Sequence, residues 1–327
     1  MEKTVYGVDT MKGLWILLAA AALIVAAMLL IAYICYRMAF YADRSVIEDE
    51  FAIPQGEIYE PFRDQMVAWM KETRAMPHED MQITSFDGLT LRGRYFEYAP
   101  GAPVELMFHG YRGKADRDLC GGVQRCFALG RSALIVDQRA CGASDGHVIS
   151  FGINESKDCH RWIEHLIRRF GSDVRIILTG ISMGASTVLL AAGRPLPPNV
   201  IGVLGDCGYT SAEDIIKLVI RRMKLPPVLA YPFVRLGAKL YGHFDLDSDS
   251  PLEAAARCKV PMMLVHGEAD DFVPCEMSYR NLAACTAPKT LFTVPGAGHG
   301  LAYLMDTEGY LKAHREFFGD PRTEDKT

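Results

Sequence analysis

Apolar and polar positions are arranged in three different ways along this chain, and each arrangement predicts a different element. Residues 14–36 contain no charge. At 1.5 Å of rise per residue, a helix of that length crosses a hydrocarbon core about 30 Å thick with some tilt, so the stretch is expected to be a membrane span. Short apolar, β-branched runs recur at 104–108, 132–136, 174–179, 200–205, 260–265 and 290–294, a pattern that predicts strands buried on both faces. Residues 81–85 and 89–98 are expected to start the sheet, after an amphipathic approach segment over 47–75. Helical periodicity fills the intervals, as at 157–170 and 185–192. Strands alternating with helices predict an α/β fold with a mostly parallel sheet covered on both faces.

The interval between the strands at 200–205 and 260–265 differs in character. Ile215, Ile216, Val219, Ile220 and Met223 recur at helical spacing until Pro226 and Pro227 break the helix. A second apolar stretch carries Leu229, Tyr231, Phe233, Leu236, Leu240 and Tyr241. Such positions serve either burial against the core or the wall of an apolar pocket. Ile216, Ile220, Tyr231 and Phe233 are the candidate substrate contacts, with Arg221, Arg222 and Lys224 facing water or headgroups. The expected organisation is a tail (1–13), a span (14–36), a juxtamembrane segment (37–80), a core in two parts (81–208 and 260–319) interrupted by a helical lid (209–259), and a tail (320–327).

Gly180-Ile181-Ser182-Met183-Gly184 falls where the strand at 174–179 passes into a helix. A serine on so sharp a turn is exposed to a substrate, and the glycines let helix and strand approach without a side-chain clash. A hydroxyl is a weak nucleophile until a base takes its proton, which an imidazole does near neutral pH. A carboxylate then fixes the imidazole tautomer and stabilises the imidazolium. Downstream of Ser182 come Asp270, in the loop after the strand at 260–265, and His299, which glycines on both sides place on a mobile, exposed perch. Asp271 competes with Asp270 by adjacency, and Asp206, at the end of the strand at 200–205, is the alternative acid. A tetrahedral intermediate needs two N–H donors. Met183 follows the nucleophile, and Tyr111 follows the strand at 104–108. His109 and His266 each precede a glycine after a strand and are read as structural.

These stretches, with Phe86-Asp87-Gly88-Leu89-Thr90-Leu91, Asp137-Gln138-Arg139-Ala140-Cys141-Gly142-Ala143-Ser144 and Asp206-Cys207-Gly208-Tyr209-Thr210-Ser211, carry a resemblance. They resemble the serine-aminopeptidase and monoacylglycerol-lipase-like branch of the α/β-hydrolase superfamily, which includes small membrane-tethered bacterial hydrolases, over about residues 78–318. The resemblance implies the α/β-hydrolase fold, an acyl-enzyme on Ser182, a carboxylic ester as substrate and no cofactor. Its His-Gly-x-x-Asp-x-x-Val-Pro pattern selects Asp270, and it makes the Asp137 stretch structural. Ala140 departs from it, standing where the family has glycine.

Composition narrows the alternatives. A net charge of −5 offers no basic field for nucleic acid. Gly113-Lys114-Ala115 lacks the residues of a P-loop, and Asp245, Asp247 and Asp249 lack the glycine and closing glutamate of a calcium loop. Cys159, His160 and His165 lack metal-ligand spacing, so no metal is expected. Nine cysteines point to a reducing setting or an anaerobic source. Lys3 and Lys12 before the span balance Arg37 and Arg44 after it, leaving orientation open. Expected partners are the membrane and a small-molecule or lipid-like ester. Peptide or amide cleavage, acyl transfer, or ligand binding without catalysis are the competing functions.

Overall fold

The computed structural model describes residues 3–43 and 49–324; Arg44 and Ile47 lie outside them. The chain opens with a long helix, α1 (Lys3–Ala39), whose stretch Met11–Ala39 is long and apolar enough to cross a membrane. A short 3-10 helix, Glu57–Phe62, and α2 (Arg63–Ala75) lead to β1 (Glu79–Thr84) and β2 (Thr90–Phe96). Then follow β3 (Val104–Phe108), α3 (Ala115–Asp118), α4 (Gly122–Ala128), β4 (Ser132–Val136), α5 (Ile153–Phe170), β5 (Ile176–Ile181), α6 (Met183–Ala192) and β6 (Val200–Asp206). Helices α7 (Ala212–Arg222), α8 (Pro227–Leu240) and α9 (Pro251–Arg257) separate β6 from β7 (Met262–Gly267). The chain continues through α10 (Glu276–Ala284), β8 (Lys289–Val294), α11 (Ala302–Met305), α12 (Thr307–Phe318) and α13 (Pro321–Glu324).

One eight-stranded sheet has the order β1-β2-β4-β3-β5-β6-β7-β8; β2 is antiparallel to both neighbours and the remaining pairs are parallel. Alternation along the strands sends side chains to two layers. Leu106, Leu134, Leu178 and Leu264 pack beneath Trp162 of α5 and Val188 of α6. Met107, Ala133 and Ile135 meet Val123 and Cys126 of α4, while Leu204, Met263 and Val265 meet Tyr310 of α12. The α/β fold with a mostly parallel sheet is therefore as the apolar runs predict. β5 and β7 each begin and end two residues later than the runs suggest, because the loops after them start only past the last ladder position.

One charge in a central strand needs special provision. Glu105 is fully buried, and Arg125 (2.5 Å), Arg131 (3.0 Å) and the Thr179 hydroxyl (3.1 Å) surround its carboxylate. A buried carboxylate without such partners would be strongly destabilising. Burial alone would raise it, and the neighbouring Arg125, His314 and Arg131 outweigh that and hold it well below the usual carboxylate range.

Two features of the amino-terminal region emerge only in the fold. The helix outlasts the uncharged stretch: side chains 11–31 are exposed on every side, whereas Ala32, Tyr36 and Phe40 are buried at i, i+4 and i+8 spacing. Residues 40–42 then run beside 147–149, with Ile149 N–H donating to Phe40 O at 2.8 Å and Ala42 N–H to His147 O at 2.9 Å. The approach segment, expected to be amphipathic, turns an apolar face inward. Ile53, Met66 and Met70 form their own buried cluster against the core.

Candidate active site

Ser182 stands between β5 and α6 with φ 56° and ψ −118°, a left-handed backbone that a non-glycine residue adopts only under constraint. The constraint is visible on both sides. Ser182 N–H donates to Asp206 O at 2.8 Å, and its carbonyl accepts from Ser186 N–H at 3.2 Å. A Cβ on Gly180 would stand 2.1 Å from Gly184 O, and one on Gly184 would stand 2.1 Å from Phe108 O. Only glycine permits both approaches.

The structure brings the three widely separated candidates together. His299 Nε2 lies 2.9 Å from Ser182 Oγ, and His299 Nδ1 lies 2.6 Å from Asp270 Oδ2. With Nδ1–H donating to the carboxylate, Nε2 is free to accept the hydroxyl proton. Asp270 Oδ1 accepts from the N–H groups of Phe272 (2.9 Å) and Val273 (2.8 Å). Burial alone would raise this carboxyl, but hydrogen bonds from His266 and His299 outweigh it and hold Asp270 well below the usual carboxylate range. It is a fixed anion at any neutral pH.

The rival acids sit elsewhere. Asp271 is exposed. Asp206 turns its Oδ2 toward the Tyr310 hydroxyl at 3.4 Å, and its Oδ1, buried, has no hydrogen-bond partner among the described residues. That oxygen belongs to a residue lining a cavity of about 70 Å³ behind the serine turn, shared with Arg125, Tyr303 and Tyr310. Burial pushes the Asp206 carboxyl up to about 6.

Several further residues support the relay. His266, read as structural, shares its Nε2–H between Val273 O (2.8 Å) and Asp270 Oδ2 (3.2 Å), while Ser278 Oγ lies 2.6 Å from its Nδ1. Its spacing of four before Asp270 is the one available hint. Tyr59 donates its hydroxyl to His299 O at 3.0 Å, and the Phe272 ring meets the His299 ring edge-on at 5.1 Å. His299 is consequently buried, 9% exposed, rather than on an open perch. Its flanking glycines allow the loop to turn; residues brought from far away pin it.

Met183 opens α6, where helix geometry leaves its N–H without an intrahelical acceptor. The loop bearing Tyr111 passes close to the serine: a Cβ on Gly110 would lie 3.6 Å from Ser182 Cβ. His109 is structural, its Nε2 accepting from Gln138 N–H at 3.0 Å. Asp137 likewise secures loops, accepting from the N–H groups of Ala115 and Ala143 at 2.9 Å each. Ala140 takes the left-handed conformation, φ 64°, that glycine would adopt more easily. Ile216, Ile220 and Tyr231 are buried in the same apolar cluster as Met183, Tyr209 and Tyr36, and Phe233 is half-buried outside it. Asp247 accepts from the Tyr231 hydroxyl at 2.9 Å and pairs with Arg235. Cys207 Sγ stands 4.0 Å from His299 Nε2. Cys207, Asp270 and His299 could offer metal ligands within 4.8 Å of one another, but burial pushes the thiol up and both imidazole nitrogens already face partners. The arrangement suits proton transfer better than metal binding.

Comparison with known proteins places the fold in a family. The alpha/beta hydrolase family matches residues 106–313. The chain belongs to that family. The Bacillus subtilis (strain 168) protein YqkD is 27% identical over 190 residues, 58% of this chain and 62% of that one, so the match leaves over a third of that relative uncovered. The polyketide transferase ATR5 of Stachybotrys chlorohalonatus is 32% identical over 121 residues, 36% of this chain and 40% of the other. Among solved structures, the Pyrococcus furiosus esterase Pf2001 superposes with a TM-score of 0.61 at 20% identity, covering 81% of this chain and 95% of the esterase. That likeness is one of fold.

Proposed function

We propose that this protein is a membrane-anchored serine hydrolase that cleaves carboxylic esters, including lipid-derived ones, through an acyl-enzyme on Ser182. The observation that carries the reading is the continuous relay from Ser182 Oγ through His299 to Asp270, at 2.9 and 2.6 Å. Ser182 Oγ attacks the acyl carbon as its proton passes to His299 Nε2, and Asp270 stabilises the imidazolium. The N–H groups of Met183 and Tyr111 hold the oxyanion. The tetrahedral intermediate collapses, the alcohol leaves with the proton from Nε2, and water, activated by the same imidazole, releases the acid.

Helices α7 and α8 act as the lid, and Ile216, Ile220 and Tyr231 form its apolar underside next to Met183. Phe233 lies toward its rim. Burial of Ala32, Tyr36 and Phe40 supports an anchor that stays attached, since removing α1 as a signal peptide would take core side chains with it. Acyl transfer to another alcohol is the second reading, favoured by the likeness to a polyketide transferase; it uses the same relay with a different acceptor.

The test uses the full chain in detergent with p-nitrophenyl esters of increasing acyl length and a fluorophosphonate probe. Ser182→Ala should abolish labelling and lower turnover by about 10⁶. Unchanged labelling or turnover in that variant would end the proposal. Release of free acid rather than a transferred ester separates hydrolysis from transfer.

A further inference from the structure

We propose that the end of α1 and the three residues after it, 32–42, form a working part of the active site rather than a tether. They hold the 110–113 turn so that the Tyr111 N–H faces the acyl oxygen, with the Tyr111 side chain and Arg112 as positioning residues. The inference rests on the ester-hydrolase reading above and adds to it a component that no catalytic motif marks.

Residues 11–31 of α1 are exposed all round, and at 1.5 Å per residue they already provide about 31 Å, the thickness of a hydrocarbon core. The remaining turns are therefore free to belong to the catalytic domain, and they pack into it. Gly237 of α8 comes so close that a Cβ there would stand 2.5 Å from Ala32 O. Tyr241 donates its hydroxyl to Leu29 O at 3.1 Å, and its ring meets that of Tyr33 edge-on at 5.2 Å.

From this fixed end, two links reach the turn. The last carbonyls of a helix lack intrahelical donors. Here the Tyr111 hydroxyl donates to Ala39 O at 2.8 Å, and Arg112 Nη2 donates to Met38 O at 2.9 Å and to Tyr41 O at 3.0 Å. A guanidinium at a helix C-terminus also meets the negative end of its dipole. The second link is aromatic. The fully buried Phe40 ring stands edge-on to Phe151 at 5.7 Å, and Phe151 packs on the Tyr111 ring at 5.2 Å.

The turn needs such support. Gly113 N–H closes it onto Gly110 O at 3.2 Å, and Arg112 within it has φ 53°. A non-glycine residue persists there only where its surroundings over-determine it. If Arg112 relaxed to negative φ, the turn type would change and its peptide planes would reorient beside Ser182.

The experiment compares Tyr111→Phe, which deletes one hydroxyl, with Arg112→Ala, which removes the guanidinium and leaves a non-glycine residue at the strained position. Arg112→Lys restores a cationic donor. All are made in the full chain in detergent. Active sites are counted with the fluorophosphonate, so that any loss of folded protein drops out. kcat is measured on a p-nitrophenyl ester, alongside affinity for a trifluoromethyl ketone, whose tetrahedral adduct mimics the oxyanion. Deleting an oxyanion donor lowers kcat by about 10²–10³, so loosening one should lower kcat per active site about tenfold. KM should stay within twofold, ketone affinity should fall in parallel with kcat, and Arg112→Lys should recover most of the loss. A kcat per active site within twofold of the parent in both Tyr111→Phe and Arg112→Ala would overturn the proposal, as would a loss confined to KM with ketone affinity unchanged. A parent protein that neither turns over esters nor takes the probe would instead end the hydrolase reading.

Discussion

Asp270→Asn isolates the carboxylate's part in the relay, because asparagine keeps the shape and changes only which atoms donate. In the parent every neighbour of the carboxylate is a donor: Phe272 and Val273 N–H on Oδ1, His299 Nδ1–H on Oδ2, with His266 Nε2–H 3.2 Å from the same oxygen. An amide has one oxygen to offer. Turned toward the two backbone N–H groups, it satisfies both and points its NH₂ at His299 Nδ1, which must then accept. The imidazole proton moves to Nε2, and the ring loses the lone pair that takes the Ser182 proton. The opposite orientation sets NH₂ against two backbone donors and is worse. The wrong tautomer costs about 10⁴ in kcat, or about 5 kcal/mol at 1.36 kcal/mol per tenfold. Steady-state ester hydrolysis, normalised by active-site titration, reads this directly, and KM should change little. Asp206→Asn is the matched control, because its carboxylate faces Tyr310, and it should retain kcat within tenfold. An Asp270→Asn variant keeping more than a tenth of parental kcat would refute this assignment, most directly if Asp206→Asn were the inactive one.

Two further outcomes follow from packing and charge. Gly184→Ala places a methyl 2.1 Å from Phe108 O and 2.7 Å from His109 O, both backbone atoms that cannot swing aside; overpacking of that kind costs about 3 kcal/mol. Thermal melting should fall on the order of 10 °C, and a shift under 2 °C would contradict the close approach at the serine turn. Asp206 holds its proton up to about pH 6 when folded, whereas an unfolded carboxyl releases it near its ordinary value of about 3.9. Its contribution to stability is therefore complete below the unfolded value and is lost as pH rises to about 6. The stability gained by Asp206→Asn should grow across that window to at most about 3 kcal/mol, since each tenfold difference in proton affinity between folded and unfolded chain is worth about 1.36 kcal/mol. A gain that stays constant from pH 4.5 to 7.5 would show that the buried carboxyl is not what titrates.

Local pattern was enough for most of the framework. Apolar β-branched runs are what a strand buried on both faces requires, so β3 and β4 could be placed to the residue. Gly180 and Gly184 flank a serine because the backbone there has no room for a side chain, and that exclusion is written in the residue types themselves. The order Ser182, Asp270, His299 was likewise readable, since each follows a recognisable strand. What the pattern could not show were contacts made across long separations by residues of ordinary type. Tyr59 pins His299 from 240 positions away, and a tyrosine in an approach segment has no periodicity that announces a partner. Asp206 ends β6 and Asp270 lies in the loop after its neighbour β7, and which one reaches His299 depends on where each carboxylate points. The uncharged stretch set the chemistry of α1 but not where its exposed turns give way to buried ones. Hydrophobicity is a property of single side chains, whereas burial of Ala32, Tyr36 and Phe40 depends on the lid helix and the aromatic cluster folding around them.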